Sequence, residues 1–204
     1  MEQKIAKLLL QINAIKLESE KLFTWASGKK SPIYCDNRLT LSYPEIRSYI
    51  QECFLKICKA DFKDTTVIAG VATAGIPHGS LLADKLKLPF IYIRSSEKKH
   101  GRKNIIEGIV KKGANVLVVE DLVSTGRSSL NAIEPLLKLG CNISGLISIF
   151  TYNFPETKKI IEERNIKYKS LCTYDALIQT AIEEKFISKK ELNFLKKWNK
   201  NFKI

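Results

Sequence analysis

At 204 residues the chain has the size of one ordinary domain with room for a substantial core, and 45% hydrophobic with 27% charged residues places it among globular proteins. No uncharged apolar run is long enough to span a bilayer, and Met1-Glu-Gln-Lys lacks the basic-then-apolar profile of a secretory signal, so a cytoplasmic protein with no membrane partner is expected. The formal net charge of +13 raises nucleic-acid binding, but pairs such as Lys29-Lys30, Lys98-Lys99, Lys111-Lys112, Lys158-Lys159 and Lys196-Lys197 are scattered. No compact basic-and-aromatic block stands out, so most of the excess is read as solvated surface and the rest as attraction of a polyanionic substrate.

In chain order, apolar residues at helical spacing (Ile5, Leu8, Leu9, Ile12, Ile15) predict a helix over residues 2–22. A turn region at 28–32 follows, and Pro44 opens a second helix to about Ala60. Next come strand 66–71, helix 75–87, strand 89–94, a polar loop 95–108, strand 115–121, helix 127–139, strand 143–150, helix 155–165 and strand 168–173. This alternation argues for an α/β fold, a parallel sheet flanked by crossover helices. Pro135 within the 127–139 helix predicts a kink or a late helix start. Ser188 with Glu191 forms a capping box for a last helix ending near Trp198. No repeat or linker justifies a second domain.

The chemistry concentrates at Val118–Ser129, VVEDLVSTGRSS. The β-branched run before it reads as a buried parallel strand, and Glu120 and Asp121 sit at its carboxyl end, where open α/β sheets bind ligands. Two carboxylates there suit vicinal diol hydroxyls and lie within reach of a divalent cation. Ser124, Thr125, Gly126, Arg127 and Ser128 then supply hydroxyls, a flexible glycine and the free N–H groups of a helix start, which together make an anion site. A polar strand-to-helix loop with a capping serine is the plain alternative for such a composition.

The twelve-residue order resembles the phosphoribosyl pyrophosphate (PRPP) motif of type I phosphoribosyltransferases. Three further segments, in the same order as in that family, resemble orotate phosphoribosyltransferases: FTWASGKKSPIYCDNR from Phe23 to Arg38, VIAGVATAGIP from Val67 to Pro77, and YIRSSEKKHG from Tyr92 to Gly101. The resemblance implies the type I fold in one domain over 1–204, with a small amino-terminal hood from about residues 1–40. It implies that Glu120 and Asp121 hold the ribose hydroxyls, that Ser124 to Ser128 hold the 5-phosphate, that Leu122 and Val123 also bind PRPP, and that Ser124 also meets orotate. Arg94, Lys98 and His100 are implied as the pyrophosphate-contacting and catalytic residues, with Lys98 foremost. Magnesium is implied as cofactor, bound through PRPP and near Asp121 with no dedicated protein metal site, and a homodimer in which the 95–108 loop reaches the neighbouring site.

Several positions depart from better-known members. Ala26 and Ala74 stand where those have lysine, Ser95 where many have a second basic residue, and Thr151-Tyr152-Asn153 lacks the arginine expected for the orotate carboxylate. These changes resemble one subgroup of the family. The hood argues against a purine as acceptor. A PRPP-sensing regulator of nucleic acid is the other class of reading, but residues 1–22 offer one helix where a helix-turn-helix needs two. His78 has no acidic neighbour in sequence and is expected to be structural or superficial, and Phe23, Trp25 and Tyr34 to pack the hood unless they stack on a base. The five cysteines form no metal or disulfide pattern and read mostly as small core residues.

Overall fold

The computed structural model describes residues 1–25, 27–94 and 105–203. Helix α1 (Glu2–Gln11) buries Ile5, Ala6, Leu9 and Leu10. It is half as long as the periodicity predicts. Asn13 adopts φ +55°, and the apolar Ile15 belongs instead to strand β1 (Ile15–Leu17), which pairs antiparallel with β4 (Ile33–Cys35). Between them, β2 (Phe23–Thr24) and β3 (Lys30–Ser31) form a second small antiparallel ladder. The period-3.6 pattern thus continued by accident into a strand whose single buried residue fits either template.

A 3-10 helix (Asn37–Ser42) leads into α2 (Pro44–Asp61), with Pro44 in the first turn where its missing N–H costs nothing. Strand β5 (Val67–Val71), helix α3 (Gly75–Leu86), strand β6 (Phe90–Ile93) and the short β7 (Ile106–Glu107) follow. The second half comprises β8 (Asn115–Val123), α4 (Arg127–Lys138), β9 (Asn142–Thr151), α5 (Pro155–Glu163), β10 (Tyr168–Thr173), α6 (Tyr174–Glu183) and α7 (Lys189–Asn201). Strand β7 and helix α6 go beyond the sequence reading, and β8 runs two residues further than expected. Helix α6 escaped notice because it follows β10 without a loop, Thr173 serving both as last strand residue and as N-cap.

Among the described residues the main sheet has the order β10-β9-β8-β5-β6-β7, parallel throughout except for the antiparallel β7 edge. Alternate residues of its strands face two separate apolar layers. Ile68, Leu117, Val119, Ile147 and Ile149 join the layer under α1, α2 and α6. Val67, Ala69, Val116, Val118 and Leu146 join the layer with Ile133 and Leu136 of α4. Both faces are covered, which is why these strands read as continuous apolar runs. Strands after β5 build outward in one direction through β6, and those from β8 onward in the other. The order therefore reverses between β5 and β8, which leaves a crevice beyond their carboxyl ends.

Helix α4 starts at Arg127, so it accommodates Pro135 without a late start and carries it in the last turn before Gly140 at φ +79°. The capping box of α7 is present: Glu191 N–H donates to Ser188 Oγ at 3.3 Å, and Ser188 N–H to Glu191 Oε2 at 2.8 Å. Among the described residues, no helix is long and apolar enough to cross a membrane. Cys53, Cys58, Cys141 and Cys172 are buried and Cys35 is half-buried, all as free thiols.

His78 lies fully buried in α3, with Nδ1 3.4 Å from Gln51 Nε2 of α2, so it is structural and not superficial. Burial pushes its pKa down from 6.5 to about 4. Between these values the unfolded chain binds a proton that the folded chain rejects, so stability is complete above pH 6.5 and is lost as pH falls toward 4. Thermal denaturation across pH 4–7 is expected to show this acid limb, worth at most about 3 kcal/mol, and His78→Gln to flatten it.

Candidate active site

The acid pair stands at the crevice where the strand order reverses. Strand β8 is buried from Val116 through Glu120, so Glu120 keeps only 6% of its surface while Asp121 is half-buried. Burial, and next the Asp121 charge, push the Glu120 carboxyl well above the usual carboxylate range. Burial likewise raises Asp121, partly opposed by the backbone N–H of Leu122. Adjacent carboxylates in so little water are costly unless a ligand supplies donors or a cation. Ser129 Oγ, buried in the first turn of α4, reaches Glu120 Oε2 at a long 3.5 Å and compensates little.

The backbone around the pair is fixed from three sides. Asn37, buried at the start of the 3-10 segment, donates through Nδ2 to Asp121 O at 2.8 Å, which ties the hood to the end of β8 across 84 positions. Cys35 and Arg38, on either side of Asn37, both feel the Asp121 charge, and Arg38 is itself held by Asp36 through Nε to Oδ1 at 2.6 Å. From below, a Cβ on Gly75 would lie 2.4 Å from Val119 O and 3.4 Å from Glu120 Cα, so the start of α3 presses directly on the strand. The loop leading into that helix contains a cis peptide between Ala72 and Thr73. The third constraint is downstream: Val123 O accepts from Thr151 Oγ1 at 3.0 Å and from Tyr152 N–H at 3.1 Å, and Ser124 O accepts from Thr157 Oγ1 at 2.9 Å.

Those bonds hold a turn whose next residues face open space. Ser124 and Thr125 are half-buried, Gly126 caps α4 at φ +77°, and Arg127 and Ser128 are exposed. A side chain at 126 would meet strain from that φ and a Thr157 methyl carbon at 3.2 Å, so glycine is required there. The N–H groups of the first α4 turn and the hydroxyls of 124, 125 and 128 therefore surround one helix start beside the two carboxylates, as an anion site requires. All of Glu120, Asp121, Leu122, Val123, Ser124, Thr125, Gly126, Arg127 and Ser128 are thus contiguous at the crevice.

Arg94 follows β6 at the same end of the sheet, where its N–H donates to Ile105 O at 2.9 Å and its guanidinium stands 3.9 Å from Glu107. Lys98 and His100, like Ala26 and Ser95, lie outside the described residues. Tyr34 is 42% exposed with its ring 5.7 Å from Phe23, whereas Trp25 is packed away, donating Nε1–H to Ile33 O and lying 5.3 Å from Tyr152. Trp25 is therefore hood packing. Sequence reasoning overlooked Asn37, Ser129 and Gly75. All three fall inside the quoted segments, but Asn37 becomes relevant only through a contact that no local pattern encodes. Among the described residues, no three His, Cys, Asp or Glu side chains form a cluster able to hold a metal alone. Glu120 and Asp121 offer two hard oxygen donors, which suits Mg²⁺ that takes its remaining ligands from phosphates and water.

Residues 38–176 match the family model described as "Phosphoribosyl transferase domain". The chain is 51% identical over 201 residues to the orotate phosphoribosyltransferase of Bacillus pumilus, covering 98% of this chain and 95% of that one. It is 49% identical over 197 residues to the same-named protein of Lactococcus lactis subsp. lactis, covering 97% and 94%. Among solved structures, the orotate phosphoribosyltransferase of Aeropyrum pernix superposes with a TM-score of 0.77 at 26% identity, covering 90% of this chain and 99% of that one.

The raised Glu120 pKa has a consequence for stability without ligand. Because the folded carboxyl binds its proton more tightly than the unfolded one, the stability present below the ordinary glutamate pKa is lost as pH rises through the folded value. Glu120→Gln should therefore melt higher than the parent protein at pH 8, with the difference shrinking toward pH 5. In a chain of this size, about 1 kcal/mol reads as roughly 2–4 °C by calorimetry. A lower melting temperature at pH 8 would show that the carboxylate is stabilised in place.

Proposed function

The chain belongs to the orotate phosphoribosyltransferase family of type I phosphoribosyltransferases, and from that premise we propose that it transfers the 5-phosphoribosyl group of PRPP to orotate. The products are orotidine 5'-phosphate and pyrophosphate, a step of pyrimidine (UMP) synthesis. The observation that carries this reading is the buried acid pair beside a helix-start anion site at the reversal of strand order, which suits a phosphorylated sugar diol.

Glu120 and Asp121 would accept the ribose hydroxyls, the Ser124–Ser128 turn would receive the 5-phosphate on its N–H groups and hydroxyls, and Leu122 and Val123 would contact PRPP between them. Ser124, at the start of that turn, would also meet orotate. Transfer breaks the bond from the anomeric carbon to a pyrophosphate oxygen and forms one to the orotate ring nitrogen on the opposite face. Positive charge grows on the ribose and negative charge on the leaving group, so cations that meet the pyrophosphate more strongly in the transition state accelerate the step. Arg94, Lys98 and His100 fill that role in this reading. The chemistry supplied by Mg²⁺, held through PRPP and near Asp121, is neutralisation of phosphate charge. No nucleophilic side chain is needed.

One domain over 1–204, with the hood over the base, and a homodimer that shares the 95–108 loop between sites complete the proposal. Free thiols at all five cysteines fit the reducing cytoplasm.

Purified protein with Mg²⁺ should release pyrophosphate from PRPP when orotate is added, and far less with uracil, adenine or hypoxanthine. Efficient turnover of a purine with none of orotate would overturn the assignment. Lys98→Ala should lower kcat more than it weakens PRPP binding. Mixing inactive Lys98→Ala with inactive Asp121→Asn, under conditions of verified subunit exchange, should restore activity, because some heterodimers then hold one intact site. Exchange without recovery would mean that each loop serves its own subunit.

A further inference from the structure

Lysines that are scattered in sequence are gathered by the fold. Lys29 and Lys30, beside the hood ladder, meet Lys197, Trp198, Phe202 and Lys203 at the end of α7 around an open surface cavity of about 580 Å³. Among the described residues no carboxylate lines it. Lys29 Nζ donates to Lys203 O at 2.5 Å and lies 4.9 Å from the Phe202 ring centre, while Lys30 Nζ donates to Thr24 Oγ1 at 2.6 Å. Both ammonium groups are thus positioned by neutral oxygens, and that of Lys29 also by the face of a ring.

One wall is aromatic and firmly held. Phe202 stacks on Phe154 at 4.4 Å, and Trp198 lies 5.1 Å from Phe202 and 6.0 Å from Trp25. Phe194 adds a ring that remains 38% exposed at the rim. Phe202 lies between Phe154 and the Lys29 ammonium, so Trp198 and Phe194 are the rings left to meet a ligand, and with four lysines beside them they select one that is both planar and highly anionic.

We propose that this cavity binds a nucleoside triphosphate at a place separate from the PRPP site. It connects to the catalytic crevice through short contacts. Trp25 of the hood packs on Trp198, Asn199 Nδ2 donates to Tyr152 O at 2.8 Å, and Tyr152 N–H donates to Val123 O at 3.1 Å. A ligand that bridges Lys29 and Lys30 to Lys197 and Lys203 therefore braces the hood against α7.

The chain's two tryptophans, Trp25 and Trp198, both belong to this cluster, so their fluorescence reports binding directly. Titration of the full chain with UTP, ATP and inorganic tripolyphosphate should show saturable quenching by at least one nucleotide, at least tenfold tighter than tripolyphosphate. Lys197→Ala combined with Lys203→Ala should weaken that binding at least tenfold while orotate transfer without nucleotide stays unchanged. The Glu120→Gln, Asp121→Asn protein should bind the nucleotide like the parent. Absence of saturable binding, equal affinity for tripolyphosphate, insensitivity to the lysine changes, or loss in the acid-pair protein would each overturn the proposal. Because the acid-pair variant addresses the PRPP reading separately, failure of the cavity leaves that reading intact.

Discussion

Two adjacent carboxylates, one buried and one half-buried at the end of an apolar strand, set the terms for everything around them. Their repulsion and desolvation oppose folding, and both side chains bind protons more readily than a carboxylate in water. The strand tolerates this because Val116 to Val119 are fully buried between two apolar layers, and the backbone of the pair is fixed independently of its charge. Asn37 holds Asp121 O, Gly75 lets α3 approach Val119 O, and Thr151, Tyr152 and Thr157 hold the turn beyond. A costly pair kept in a rigid frame is the arrangement expected of a preorganised ligand site.

The frame divides into parts with different physics. The sheet and its helices carry continuous apolar layers, whereas the hood rests on two-stranded and three-residue ladders that could not stand alone. Its stability is borrowed from the aromatic cluster of Trp25, Tyr152, Phe154, Trp198 and Phe202, and from the Asn37 bond to β8. The carboxyl-terminal helix, remote in sequence from the crevice, thereby supports the element tied to β8 through Asn37.

What the sequence made legible follows from how local each signal is. The Glu120 to Ser129 order, the α7 capping box and the alternation of strands and helices are determined within a few residues, and the structure places each where expected. The first helix is shorter than its periodicity because Ile12 and Ile15 keep a helical interval while Asn13 breaks the backbone, and three-residue strands are too short to show a period of two. Asn37 and Gly75 act through neighbours 84 and 44 positions away, beyond any window. The basic aromatic cavity was hidden for the same reason, its lysines lying in pairs more than 160 residues apart.

The central claim is that the acid pair is maintained for the ribose of PRPP and not as a feature of the loop. Isothermal calorimetry of PRPP with Mg²⁺ tests it most directly, comparing the parent chain with Glu120→Gln, Asp121→Asn. Each charged acceptor of a buried hydroxyl is worth roughly 1.5–3 kcal/mol, so the account predicts a loss of at least tenfold in affinity in a protein that remains folded. Unchanged affinity would contradict it.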